Sequence, residues 1–167
     1  DGLHLRAGNT LARTYQIHGN LDYMRSIQDD DTQIYPLPKE LGERWQRGRA
    51  IGPEQREYLV CPRDATQARP HVLWFDESYD EERFRFQSTL EAVERAALVI
   101  VVGTSGATNL PSLIVHRTAE RRVPLLVINR DASPYSSMAE RIPTGLFVQG
   151  PAGEVLPPLV NYLLDGE

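Results

Sequence analysis

The sequence predicts an α/β fold, a Rossmann-like three-layer arrangement on a parallel sheet with a small inserted module. Three observations carry this. Aliphatic runs, clearest at Ala97-Leu-Val-Ile-Val-Val102, read as buried parallel strands, which are apolar without alternation. Segments with helical apolar spacing separate these runs, and strand-helix alternation implies a parallel sheet covered on both faces. The run at 97–102 ends in Gly103-Thr104-Ser105, small residues at the place where open α/β sheets collect ligands.

In chain order, Thr14 to Ile17 is expected as a short strand ending at His18-Gly19, and His71 to Phe75 as a second, introduced by Arg69-Pro70 and ending at Asp76-Glu77. Ala97 to Val102 is the third, Leu125 to Ile128 the fourth and Leu146 to Gln149 the fifth. Glu81 to Ala96 reads as a helix, with Phe84, Leu90 and Val93 near one face. Leu110 to Arg121 repeats the pattern, and Ala152 to Leu164 closes the chain with a stripe of Val155, Leu159, Tyr162 and Leu163. Asn20 to Gln67 breaks the rhythm with Asp29-Asp30-Asp31, Pro36 and Pro38, and one expected helix near Leu37 to Arg49. The division is therefore 1–19 with 68–167 as the Rossmann-like domain and 20–67 as the small module.

Composition narrows the function classes. The 167 residues suit one ordinary domain with a small appended module. A net charge of −5, with Arg supplying nearly all the positive charge, leaves no basic stripe and argues against nucleic acid as a partner. Cys61 is the single cysteine, which excludes an intramolecular disulfide and suggests a cytoplasmic protein. No apolar run is long enough to span a bilayer, so no membrane partner is expected. The opening Asp1-Gly-Leu-His4 has neither an initiator Met nor a strand lead-in, and is expected to begin inside a domain of a longer protein.

The expected strand ends carry chemistry that fits together. Gly103, Thr104 and Ser105 would let the backbone approach a phosphate, with the next helix start offering N–H groups. Asn129 has an amide that donates and accepts, which suits the paired hydroxyls of a ribose. His18 titrates near neutrality and can take a proton from a hydroxyl. The set suggests a nucleotide and a base.

Asp1-Gly2-Leu3-His4, His18-Gly19, Arg69-Pro70 with Phe75-Asp76-Glu77, Gly103-Thr104-Ser105 and Ile128-Asn129 stand in the order and spacing of the sirtuins, NAD-dependent protein deacylases, and the chain resembles that family from end to end. The resemblance implies NAD as a consumed substrate. The acyl oxygen of a modified lysine attacks the nicotinamide ribose, nicotinamide leaves, and the acyl group passes to the ribose. It implies His18 as the catalytic base and Asp1 as the acid that holds the nicotinamide amide. It implies Gly103, Thr104 and Ser105 at the phosphate and ribose, Asn129 at the adenosine ribose, and Ala152 against adenine. Phe75, Asp76 and Glu77 match the strand end that pairs with an acylated protein or peptide through backbone hydrogen bonds. His4 also matches a family position and is assigned a structural role.

Departures from the family pattern shape the expectations as well. The family's zinc cysteines fall on Ser26, Asp29, Cys61 and Asp64 here, a poor donor set for a closed zinc site, so no structural zinc and no other metal is expected. The module is then expected to rest on Tyr23, Ile27, Ile34, Tyr35, Leu41, Trp45, Tyr58 and Leu59. Asp76 stands where the family mostly has Gly, adding a charge beside the approaching peptide. The family's first Gly-rich segment lies upstream of the position matched by Asp1, so this piece alone is expected to bind NAD weakly and to be inactive. The leading function is an NAD-dependent protein-lysine deacylase. The alternatives are a relative that cleaves NAD or transfers ADP-ribose, and a non-catalytic NAD or ADP-ribose binder.

Overall fold

A computed structural model describes residues 2–28, 32–44, 48 and 50–166. The chain divides into two compact units, Asp1–Gln87 and Ser88–Glu167.

The first unit is built on an antiparallel sheet. After helix α1 (Leu3–Arg6) and a 3-10 turn at Leu11–Arg13 come strands β1 (Gly19–Ser26) and β2 (Tyr35–Pro36), helices α2 (Lys39–Arg44) and α3 (Pro53–Arg56), and strand β3 (Ala68–Val72). The sheet order is β2-β1-β3, with Met24 opposite Tyr35 on one side and Pro70 on the other. Its apolar core is Met24, Leu41, Leu59, Cys61 and Ala68, with Tyr35, Leu37 and Ile51 packed against it. Of the expected module core, Leu41, Leu59 and Tyr35 take that role and Tyr23 is half-buried, whereas Ile27, Ile34 and Tyr58 are exposed. Trp45 lies outside the described residues.

Two expected strands are corrected. Thr14 to Ile17 makes no strand; the Gly19 N–H donates to the Gln16 carbonyl at 2.8 Å, closing a turn from which β1 departs. The second strand ends at Val72 rather than Phe75, because the Glu77 carboxylate accepts the Trp74 N–H at 2.8 Å and the Glu77 N–H returns to the Trp74 carbonyl at 3.1 Å. Both residue stretches therefore belong to turns flanking an antiparallel sheet.

Helices α4 (Glu81–Phe84) and α5 (Phe86–Arg95) replace the single helix expected from Glu81 to Ala96. Asp80 caps α4 by accepting the Arg83 N–H at 2.7 Å, and Arg85 ends it in the left-handed region at φ 55°.

The second unit carries the parallel sheet. Strand β4 (Val99–Val102), helix α6 (Asn109–Glu120), strand β5 (Leu125–Asn129), helix α7 (Pro134–Ala139) and strand β6 (Gly145–Gln149) alternate, and helix α8 (Ala152–Asp165) ends the chain. The order is β4-β5-β6, with Val102 opposite Ile128 and Ile128 opposite Val148. Each crossover spans a helix, as parallel neighbours require. The central strand is the driest: Leu125 and Val127 are buried in a cluster with Val115, Tyr135 and Ala139. Ser133 opens α7 with a reciprocal hydrogen-bonded box to Ser136, and Pro134 presets its first turn. Among the described residues no helix is long and apolar enough to cross a membrane.

Candidate active site

In the first unit, the turn before β1 places His18 at the wall of a cavity of about 380 Å³ lined also by His4, Asn9, Arg13, Tyr15 and Gln16. The position of His18 is set by its backbone. Its carbonyl accepts the Leu73 N–H at 3.1 Å, and Gly19, at φ +82°, lies so close to the His71 carbonyl that a side chain there would collide with it. The ring Nε2 lies 2.9 Å from the Tyr79 hydroxyl. Desolvation holds the His18 pKa below its ordinary value, so the imidazole is neutral and basic at neutral pH. His4 is exposed and shares the cavity wall.

The loop after β3 is fastened by charge. Glu77 accepts from Arg69 Nη1 and Nη2, and from Arg25 Nη2 at 3.2 Å. Arg25 and Arg69 are buried, and the Arg69 guanidinium also caps the Val72 carbonyl at 2.9 Å and lies 3.6 Å from the Trp74 ring centroid. The Arg69 hydrogen bond, more than any other contact, holds the Glu77 carboxyl below the usual glutamate range. Of the three residues expected to meet a peptide, Phe75 is 99% exposed and Asp76 is exposed, while the Glu77 side chain is committed to this clamp. Arg25 and Tyr79 escaped the sequence reading because their partners lie 52 and 61 residues away, with no local spacing to reveal them.

In the second unit, Gly103, Asn129 and Ala152 share a cavity of about 410 Å³ with Ile128, Arg130, Gly150, Pro151 and Gly153. Gly103 turns the chain out of β4 at φ +62°, a conformation that leaves the opening to Thr104 and Ser105 free of strain. Ser105 is exposed. Asn129 ties the loop down: its Nδ2 donates to the Thr104 carbonyl at 2.9 Å and its Oδ1 accepts the Arg130 N–H at 3.0 Å. Ala152 begins α8, so its small side chain stands at a helix start beside the cavity. Asp1 lies outside the described residues.

Of the four positions that the sirtuin resemblance matches to zinc cysteines, Ser26 and Asp64 are joined through Thr66. Thr66 Oγ1 donates to Asp64 Oδ1 at 2.6 Å, so the hydrogen in the 3.0 Å Ser26–Thr66 contact comes from Ser26. The Thr66 N–H and Arg63 Nη2 also reach the Asp64 carboxylate, at 2.9 and 2.8 Å, and the Thr66 bonds above all keep that carboxyl far below its usual range. Cys61 is buried in the apolar core, and among the described residues no group of three His, Cys, Asp or Glu side chains is placed to hold a metal. Asp29 is outside the described residues. The arrangement does not fit a tetrahedral zinc ion.

A parallel sheet whose strand β4 ends in a glycine turn, beside an asparagine and a helix start, is an α/β arrangement of Rossmann type. The Sir2 family profile matches residues 1–109, and the chain belongs to that family. It is 32% identical to an NAD-dependent protein deacylase of Leptospira interrogans over 165 residues, 99% of this chain and 58% of the relative. An NAD-dependent protein deacylase of Thermococcus kodakarensis is 28% identical over the same shares. Among solved structures, a Sir2 homologue in complex with NAD superposes with a TM-score of 0.73 at 24% identity, covering 99% of this chain and 56% of the other. A Sir2 enzyme with peptide and NAD+ gives 0.65 at 18% identity, over 99% and 60%. The fold is that of the Sir2 enzymes, and the chain spans under two thirds of the length of these relatives.

Proposed function

We propose that this protein is an NAD-dependent protein-lysine deacylase, consuming NAD and releasing nicotinamide as the acyl group moves from lysine to ADP-ribose. The observation that carries the reading is His18: a histidine kept neutral by desolvation, fixed through its backbone, and open to a cavity. In this reading NAD supplies the ribose carbon that the acyl oxygen attacks, and the bond from that carbon to nicotinamide breaks. His18 accepts the proton of a ribose hydroxyl, which then takes up the acyl carbon.

The remaining assignments follow from the same reading. Gly103, Thr104, Ser105, Asn129 and Ala152 contact NAD, with Asp1 at the nicotinamide amide. Phe75 and Asp76 meet the acylated peptide, and Glu77 shapes the loop that presents them. Residues 20–67 form the small module, and 1–19 with 68–167 the nucleotide-binding domain; the pairing of β1 with β2 supports the first part. The crossed hydrogen bonds of Ser26, Thr66 and Asp64 support a module held without zinc. A single cysteine supports a cytoplasmic setting, and the acidic balance a protein or peptide partner rather than nucleic acid.

Nicotinamide release by the natural full-length polypeptide, with and without an acetylated peptide, tests the reading. Peptide-dependent release that falls at least a hundredfold in His18→Ala is the expected result. Peptide-independent release would assign NAD cleavage or ADP-ribosyl transfer instead, a reading favoured by the exposed Asp76 carboxylate in the peptide-facing loop. No release with retained ADP-ribose binding would make the protein a binder.

A further inference from the structure

We propose that Tyr79 is the positioning residue of the histidine base, holding one ring nitrogen so that the other faces the reaction. This rests on His18 being the proton acceptor assigned above. The Tyr79 hydroxyl is 2.9 Å from His18 Nε2, and the two ring centroids are 5.9 Å apart with the planes tilted by 49°. Tyr79 is itself held in place: its ring stacks on Phe86 at 6.0 Å, and the next residue, Asp80, caps α4. His18 is thus fixed twice, through its carbonyl on Leu73 and through its ring on Tyr79.

A neutral imidazole has one donor nitrogen and one acceptor nitrogen, and the partner of one decides the role of the other. With Nε2–H donating to the phenol oxygen, Nδ1 is the only ring atom left to take a proton. The transfer then balances: the ribose O–H bond breaks, an Nδ1–H bond forms, and the resulting imidazolium still donates from Nε2 to Tyr79. That bond becomes charge-assisted and stronger, so Tyr79 favours the protonated base without receiving a proton itself. The ionisable groups sharing the surroundings of His18 are His4 from α1, Arg13 from the 3-10 turn, and Tyr15. Among the described residues lining that cavity there is no carboxylate to stabilise an imidazolium, and the phenol oxygen is the hydrogen-bond partner in place.

Tyr79→Phe removes the hydroxyl and keeps the ring that stacks on Phe86. The His18 ring proton signal, identified by its loss in His18→Gln, is titrated by NMR in the 167-residue chain. The midpoint is expected to fall by about half a unit in Tyr79→Phe, because the lost bond favoured the charged ring. In the natural full-length polypeptide, kcat for nicotinamide release is expected to fall about tenfold, with KM for NAD changed less than about twofold. An unchanged or raised midpoint overturns the assignment of Tyr79 even where His18→Gln abolishes release. Release that survives His18→Gln overturns the reading of His18 as the base, and the positioning role falls with it, whatever the midpoint does.

Discussion

Glu77 shows how much one side chain decides. Its carboxylate meets two buried arginines and a backbone N–H, so removing it leaves two cations in the interior without their shared partner. Breaking such a buried pair costs about 3 kcal/mol, and Glu77→Ala is expected to lower stability by that order in denaturant unfolding near neutral pH. The pH dependence follows from the depressed carboxyl: the contribution is complete above the pKa of an unfolded glutamate and disappears as the pH falls through the lower folded value. The variant and the parent chain should therefore converge in stability under acid. In turnover, Glu77→Gln should raise KM for an acetylated peptide about tenfold while KM for NAD moves little, since the clamp shapes the loop that carries Phe75 and Asp76. Equal changes in both constants would argue against a loop-specific role.

At the level of elements, the parallel part was legible and the antiparallel part was not. Strands β4, β5 and β6 lie within two residues of their expected bounds because their apolar runs are bracketed by Gly, Pro and Asn. Strand β1 carried no such signal: Asn20, Arg25 and Ser26 are among its buried positions, and hydrophobic periodicity does not detect a strand that buries polar groups against partners distant in sequence. Helix α4 was merged with α5 because the break at Arg85 rests on a left-handed backbone, which no residue type announces. The candidate residues His18, Gly103 and Asn129 were readable from their neighbours, whereas Tyr79, which meets the His18 ring, and Arg25, which meets Glu77, come from remote pairing. Gly19 joins the two kinds of information, starting β1 at a positive φ against the His71 carbonyl. Gly19→Ala is expected to destabilise the first unit by about 3 kcal/mol or more, read as a lowered midpoint of thermal unfolding. A midpoint within a degree of the parent would contradict the close approach.

For the molecule as a whole, a small module proposed to hold together without zinc must draw on its own contacts. Ser26, Thr66 and Asp64 form a directed chain of hydrogen bonds, and Met24, Leu41, Leu59, Cys61 and Ala68 supply the apolar contact around it. Thermal unfolding is accordingly expected to be indifferent to strong chelators, and elemental analysis to find well under one zinc per chain. Thr66→Val, which deletes the central hydroxyl, should cost about 1–2 kcal/mol by removing the group that accepts from Ser26 and donates to Asp64. One tightly held zinc, lost together with stability on chelation, would overturn this account.

The backbone of His18 is bonded to the residue that follows β3, and the glycine beside it admits no replacement. In the role proposed for it, His18 would therefore act from the sheet's foundations rather than as a visitor from a loop. Its location is settled once, when β1 and β3 zip together, and no ligand has to gather it afterwards. The ring's contact with Tyr79 is the part that substitution can tune, so natural variation in reaction rate should accumulate at the ring's neighbours rather than at its backbone supports.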